Sequence, residues 1–201
     1  MRIYKGKPLV NSVNGKKESM ESIFPLIKKY GGSVIALTLD ENGIPDTAEK
    51  RLDIARKILD KAAEYSVDKK DIIFDPLTMA VSTDENSALV TLECIERITY
   101  ELGCRTSLGV SNISFGLPNR ELLNSAFFLS AMNKGLSAAI MNPYSEKMTD
   151  VYHSFCALNG IDDGFSSYIT YCDNNAVHAS ERISDERAED LADSVYKGRI
   201  E

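Results

Sequence analysis

The sequence predicts an α/β fold built on a parallel sheet of the (β/α) barrel kind. Three observations carry this. A short apolar run, a polar loop and an amphipathic helix follow one another five times; the runs repeatedly end in Asn or Asp; and none of the intervening loops reads GxGxxG or GxxxxGKS/T. Successive βα units cannot be joined by tight hairpins, so neighbouring strands must be parallel with crossover connections. A doubly wound sheet would carry a glycine-rich first turn, whereas a barrel gathers polar residues at the ends of many different strands. Asn11, Asp40, Asp75, Asn112 and Asn142 fit the second pattern. A closed barrel takes eight units in about 250 residues, and five units are counted here in 201 residues.

The first run is Pro8 to Val13, ending in Asn11-Ser12, and Met20, Ile23, Phe24 and Ile27 then recur at helical spacing up to the stop signal Gly31-Gly32. Pro25 falls inside that pattern and is expected to kink the helix or mark a restart. The second run, Ser33 to Leu39, leads through Asp40 and Pro45 to Asp46, which with Glu49 resembles a capping box. Leu52, Ala55, Ile58, Leu59 and Ala62 form the stripe behind it. The third run, Asp71 to Asp75, ends at Pro76, and Leu92, Ile95, Ile98 and Leu102 make the next stripe, closed by Gly103. The fourth run, Thr106 to Val110, is the most informative. Its apolar strand gives way to Ser111-Asn112 and a loop with Gly116 and Pro118, after which Asn119 is placed to cap a helix starting near Arg120. The fifth run, Leu136 to Met141, ends in Asn142-Pro143 and precedes a helix through Val151, Tyr152 and Phe155.

Composition narrows the function. The chain is 43% hydrophobic and 26% charged, enough for a real core. Its net charge of -7, with no basic cluster, argues against nucleic acid as a partner and favours a small molecule or a protein. There is no membrane-spanning run and no signal-peptide core in MRIYKGKPLV, so the chain is read as cytoplasmic. Cys94, Cys104, Cys156 and Cys172 are scattered, with only His153 and His178 to help them, which speaks for reduced thiols and no metal site.

The strings VNSV, IALTLDENGIPDT, IIFDPL and TSLGVSNISFGLP, in this order and spacing, resemble the second part of the pterin-binding barrel of methyltetrahydrofolate methyltransferases. That family includes the folate module of cobalamin-dependent methionine synthase and the methyltetrahydrofolate:corrinoid protein methyltransferases. The resemblance runs from about Pro8 to the helix after Asn142 and implies a partial TIM barrel, about strands four to eight, with the first three βα units and one pterin-contacting carboxylate missing. Residues 1–172 would be this partial barrel. The tail, 173–201, resembles a linker opening into the helical cap of a corrinoid module, with a short helix around Leu191, Val195 and Tyr196 stopped by Gly198.

The resemblance also implies a site. Asp75 would accept from the amine and ring N–H of the pterin edge in a bidentate pair, with Asn11 and Asn142 as further pterin contacts. Asn112 matches the asparagine placed near nitrogen 5, where an amide can donate or accept as that nitrogen changes protonation. The methyl donor would be methyltetrahydrofolate. The acceptor would be the cobalt of a cobalamin or other corrinoid carried by a partner domain or protein. Two other readings stand beside this one: a non-catalytic remnant or assembly subunit that keeps the fold, and a dihydropteroate synthase-like pterin enzyme. Asp40 and Asp46 are read as holding the loop and capping the helix, Phe115 as covering the core, and His153 as structural. An open barrel should self-associate, or need a chain that supplies the first three βα units.

Overall fold

The computed structural model describes residues 3–175 and divides the chain into two compact units, Met1–Thr149 and Asp150–Glu201. The first holds five parallel strands in sequential order: β1 (Leu9–Asn14), β2 (Ser33–Leu37), β3 (Ile72–Asp75), β4 (Arg105–Gly109) and β5 (Ala138–Ile140). Between them run α1 (Lys17–Tyr30), α2 (Ala48–Glu64), α3 (Ser87–Tyr100) and α4 (Arg120–Asn133), and α5 (Glu146–Leu158) follows β5. The sequential order with helical crossovers is that of a partial (β/α) barrel. Among the described residues β1 pairs only with β2 and β5 only with β4, so the sheet has two free edges.

Strand alternation gives the sheet two unlike faces. Val13, Val34, Ala36, Ile72 and Phe74 turn toward the helices and form one cluster with Phe24, Leu52, Ile58, Cys94 and Ile98. Removing a side chain such as Phe74 from water stabilises the fold by roughly 1.5–3 kcal/mol. The register Asn11↔Ile35, Ile35↔Ile73 and Ile73↔Arg105 strings the opposite face together, and Gly109↔Ile140 continues it on the last strand. Toward the edges that face is open: Leu9 is 55% and Ile140 61% exposed.

Several local expectations are corrected. α1 runs unbroken through Pro25, with no restart; Pro25 lies on the exposed side, where water can serve the carbonyl its missing N–H leaves free. The cap of α2 is Thr47, whose Oγ1 accepts from Lys50 N at 3.4 Å, while Asp46 pairs with Lys50 Nζ at 3.1 Å and Glu49 is held by Arg97 and Arg56. The helix begins one residue late for a box on Asp46. Asn119 precedes α4 but does not cap it. It adopts φ 48°, ψ 49°, and this left-handed geometry is not the extended one from which a cap side chain reaches the first amides. Gly31, at φ 68°, closes α1 as expected.

In the second unit Tyr171 stacks on His153 with ring centroids 4.1 Å apart and donates to Asp150 Oδ1 at 3.0 Å. Asp162 accepts from Ser167 N and Tyr168 N, and these backbone N–H groups hold its carboxyl below the ordinary value. Residues 166–175 are helical, and the rest of the expected tail, including Leu191, Val195 and Gly198, lies outside the described residues. All four cysteines are free thiols. Among the described residues no helix is long and apolar enough to cross a membrane, and no three His, Cys, Asp or Glu side chains converge on a metal position.

Candidate functional site

Three of the four candidate residues sit at or just beyond carboxyl ends of strands. Asp75 is the last residue of β3, Asn112 lies in the 3₁₀ turn Val110–Ser114 directly after β4, and Asn142 follows β5 by two residues. Asn11 does not share their level. A register shift between Asn11 and Val13 sets Asn11 opposite Ile35, mid-strand and exposed, while Asn14 takes the place opposite Leu37, which in turn faces Asp75. The terminal row of the sheet is therefore Asn14, Leu37, Asp75, and Asn11 stands one layer below on the face away from the helix core. Asn14 is engaged locally, its Oδ1 accepting from Lys16 N at 3.0 Å and its N–H donating to Ser19 Oγ at 3.1 Å.

Asp75 is half-buried, and its Oδ1 accepts from Leu77 N at 2.8 Å. Burial pushes its carboxyl above the ordinary aspartate value, against the Leu77 N–H bond and the charge of Arg51, which both pull it down. Oδ2 has no hydrogen-bond partner among the described residues. Asp75 thus ends its strand as a desolvated acceptor with one oxygen uncommitted, the state required of a carboxylate that is to take two N–H groups from a flat heterocycle.

Asn112 is exposed, and its amide lies over the last residue of β4: a Cβ placed on Gly109 would come within 3.3 Å of Asn112 Nδ2. A side chain at 109 would therefore sit tightly against this amide. The turn carrying Asn112 is clamped by Arg120, whose Nη2 donates to Ser111 O at 2.8 Å and whose Nε donates to Ser114 Oγ at 3.0 Å. The same guanidinium stands 6.0 Å from the centre of the Phe115 ring, which is exposed at 68% and does not cover the core. Ser82 Oγ donates to Phe115 O at 2.7 Å and Val81 N to Ile113 O at 3.0 Å, so the loop after β3 and the loop after β4 are tied to each other.

Asn142 lines a cleft of about 270 Å³ with Ser111, Arg120, Asn124 and Ser145, and its Oδ1 accepts from Tyr144 N at 3.0 Å. A larger hollow of about 740 Å³ is bordered by Asp40, Pro45, Asp46 and Lys50 on the outer side of the loop after β2, and none of the four candidate residues touches it. The candidate side chains gather at the strand ends, whereas the larger hollow is lined by the loop after β2 and by α2 as far as Lys57.

Sequence reasoning passed over three residues beside these strand ends: Asn14, which faces Leu37 in the terminal row, Arg51, whose charge acts on Asp75, and Arg120, which clamps the Asn112 turn. Arg51 had a signal. It falls at helical spacing with Ala48, Leu52 and Ala55, a charge inside a buried stripe. Arg120 had none beyond following the loop, and Asn14 was hidden by the register shift.

Residues 2–142 match the family model of pterin binding enzymes, a span that takes in all five strands and helices α1 to α4. The chain belongs to the pterin binding enzyme family. Among relatives of this pterin binding enzyme, the methylcorrinoid:tetrahydrofolate methyltransferase of Eubacterium limosum is 35% identical over 159 residues, covering 77% of this chain and 58% of the relative. The methionine synthases of Mycobacterium tuberculosis and Mycobacterium leprae are each 37% identical, covering 68% of this chain and 13% and 12% of the relatives. The chain thus spans little more than half of the first relative and about an eighth of the others.

Proposed function

We propose that this pterin binding enzyme binds methyltetrahydrofolate at the carboxyl ends of its strands and exchanges the methyl group with the cobalt of a corrinoid held by a partner protein or domain. The observation that carries this reading is Asp75: a strand-end carboxylate, half-buried, with one oxygen on the Leu77 amide and the other uncommitted. The pyrimidine edge of a pterin offers an amine and a ring N–H side by side, and a carboxylate accepts both. Asn11, one layer below on the same face, would border the ring, and Asn142 its far side.

Asn112 would act at nitrogen 5. When the methyl leaves, the C–N5 bond breaks and its electron pair stays on nitrogen, so a donated amide N–H, or a proton delivered there, stabilises the developing charge. The corrinoid supplies the nucleophilic cobalt, and this chain would bind, orient and activate the folate. In the reverse direction the amide oxygen would accept the N5–H of tetrahydrofolate. The Eubacterium limosum relative is named as a methylcorrinoid:tetrahydrofolate methyltransferase, with the methyl on the corrinoid first, and by microscopic reversibility one site serves both directions. Arg120 would hold the Asn112 turn in place while the amide reorients.

Five units leave the strand edges of β1 and β5 open, and a (β/α) barrel closes at eight. The functional unit would therefore be these five βα units with three further ones beside them. The test is to supply those units, by fusion or in trans, and to measure methyltetrahydrofolate binding and single-turnover transfer to Co(I) cobalamin separately. Binding no tighter than that of a non-pterin heterocycle would leave the alternative of a non-catalytic assembly subunit.

A further inference from the structure

Among the described residues Arg51 is the only charged side chain fully removed from water, at 2% exposure on the core side of α2. No carboxylate lies within ion-pair distance of it, and its donors go to backbone instead. Nε donates to Pro45 O at 2.9 Å, and Nη1 to Pro76 O at 2.7 Å and Leu77 O at 2.9 Å, with Thr91 Oγ1 at 3.4 Å. One guanidinium thus joins the loop after β2 to the turn after β3. A buried cation with no counter-ion is costly, and its neighbours in the stripe, Ala48, Leu52 and Ala55, show that an apolar residue belongs at such a position.

Besides Arg51, the turn is held by Thr91, whose Oγ1 donates to Leu77 O at 3.2 Å. Pro76 has no N–H, and Leu77 adopts φ 66°, a left-handed conformation that leucine keeps only where its surroundings impose it. The Leu77 carbonyl is on Arg51 and the Leu77 N–H is on Asp75 Oδ1, so a single peptide chain of contacts runs from guanidinium to carboxylate. We infer that Arg51 is a positioning residue for pterin recognition: by seating Leu77 it fixes the direction in which Asp75 presents its carboxylate, and its fork ties that turn to the loop after β2. The inference rests on the reading of Asp75 as the residue that meets the pterin edge. The charge has a second effect in the same sense. Arg51 is the charged group that faces Asp75 and favours its anion against burial, and Arg51 itself is faced by Asp46, Asp75, Asp84 and Cys94. Lysine would keep a charge there but could not serve Pro45 and the Pro76-Leu77 turn together, because a point ammonium has no planar fork.

The test needs no folate. In the full chain, NMR follows the Asp75 carboxyl carbon, the Leu77 amide and the Arg51 Nε–H across pH. All three should move with one midpoint. In Arg51→Met the Asp75 midpoint should shift to higher pH and the Leu77 amide should exchange faster with solvent; in Arg51→Lys the midpoint should stay near the native one while the Leu77 amide still loses protection. An Arg51 Nε–H in the native chain that ignores the Asp75 titration overturns the inference, as does an Arg51→Met chain with midpoint and amide unchanged. Should Arg51→Met not fold, the native-chain measurement decides by itself. Because no pterin is present, failure of the folate reading would show only in the binding experiment above and leave these midpoints as they are.

Discussion

The two faces of the one sheet are under different physical demands. Toward the helices, Val34, Ala36, Ile72 and Phe74 are fully buried in one apolar cluster. On the other face Leu9, Asn11 and Ile140 are exposed and Asp75 is a half-buried acid, with buried Ile35 and half-buried Ile73 between them. Stability therefore resides on the first face and the proposed chemistry on the second. The lesson is that substitutions one residue apart on the same strand should report on different properties.

Phe74 in the core and Asn112 beyond the end of β4 give the sharpest contrast. Phe74→Ala should destabilise the chain by about 3–5 kcal/mol, the cost of a cavity in a closely packed core, read from the shift of the denaturant midpoint. A loss below about 1 kcal/mol would mean that the helix face is not the core we describe. On the open face Asn112→Ala should leave that midpoint where it is and lower single-turnover methyl transfer by about 10²-fold in the completed barrel, with a smaller change in affinity, as for a preorganised donor. Equal losses in binding and rate would place Asn112 on the ground-state folate instead.

Asp75→Asn should do the reverse of Asn112→Ala. An amide cannot accept two N–H groups, so pterin affinity should fall by about 1.5–3 kcal/mol. Stability should move the other way. Burial raises the Asp75 carboxyl in the folded chain, so the folded state holds that proton more tightly than the unfolded chain, and the ionised carboxylate costs stability above the folded value. Asp75→Asn should therefore be at least as stable as the native chain at neutral pH. That advantage should shrink as pH falls from the raised folded value to the ordinary carboxylate value. Thermal unfolding at a series of pH values checks the sign, and a variant less stable at neutral pH than at acid pH, relative to the native chain, breaks the argument.

The smallest effect on stability should come from the open edges. Leu9→Ser and Ile140→Ser replace residues that are 55% and 61% exposed, so unfolding free energy should change by no more than about 0.5 kcal/mol. An open sheet with apolar side chains at its unpaired edges is expected to self-associate, and sedimentation should show weaker association in both variants than in the native chain.

Much of this was legible from the chain alone. Strand and helix order follow from apolar runs and helical stripes, since period and composition are local properties, and the positions of Asp75, Asn112 and Asn142 at strand ends follow from where those runs stop. The family emerged from short strings that stand in a fixed order and spacing along the chain. Tertiary structure decided the rest. Whether Asn11 or Asn14 reaches the terminal row depends on a register shift between two strands, which no single strand encodes. Whether Asp46 or Thr47 caps α2 depends on a one-residue choice of helix start. Arg51 and Arg120 matter through carbonyls 25 and 9 residues away in the chain. Those contacts exist only once the loops are brought together, and a charge in a buried stripe is the one mark they leave in the sequence.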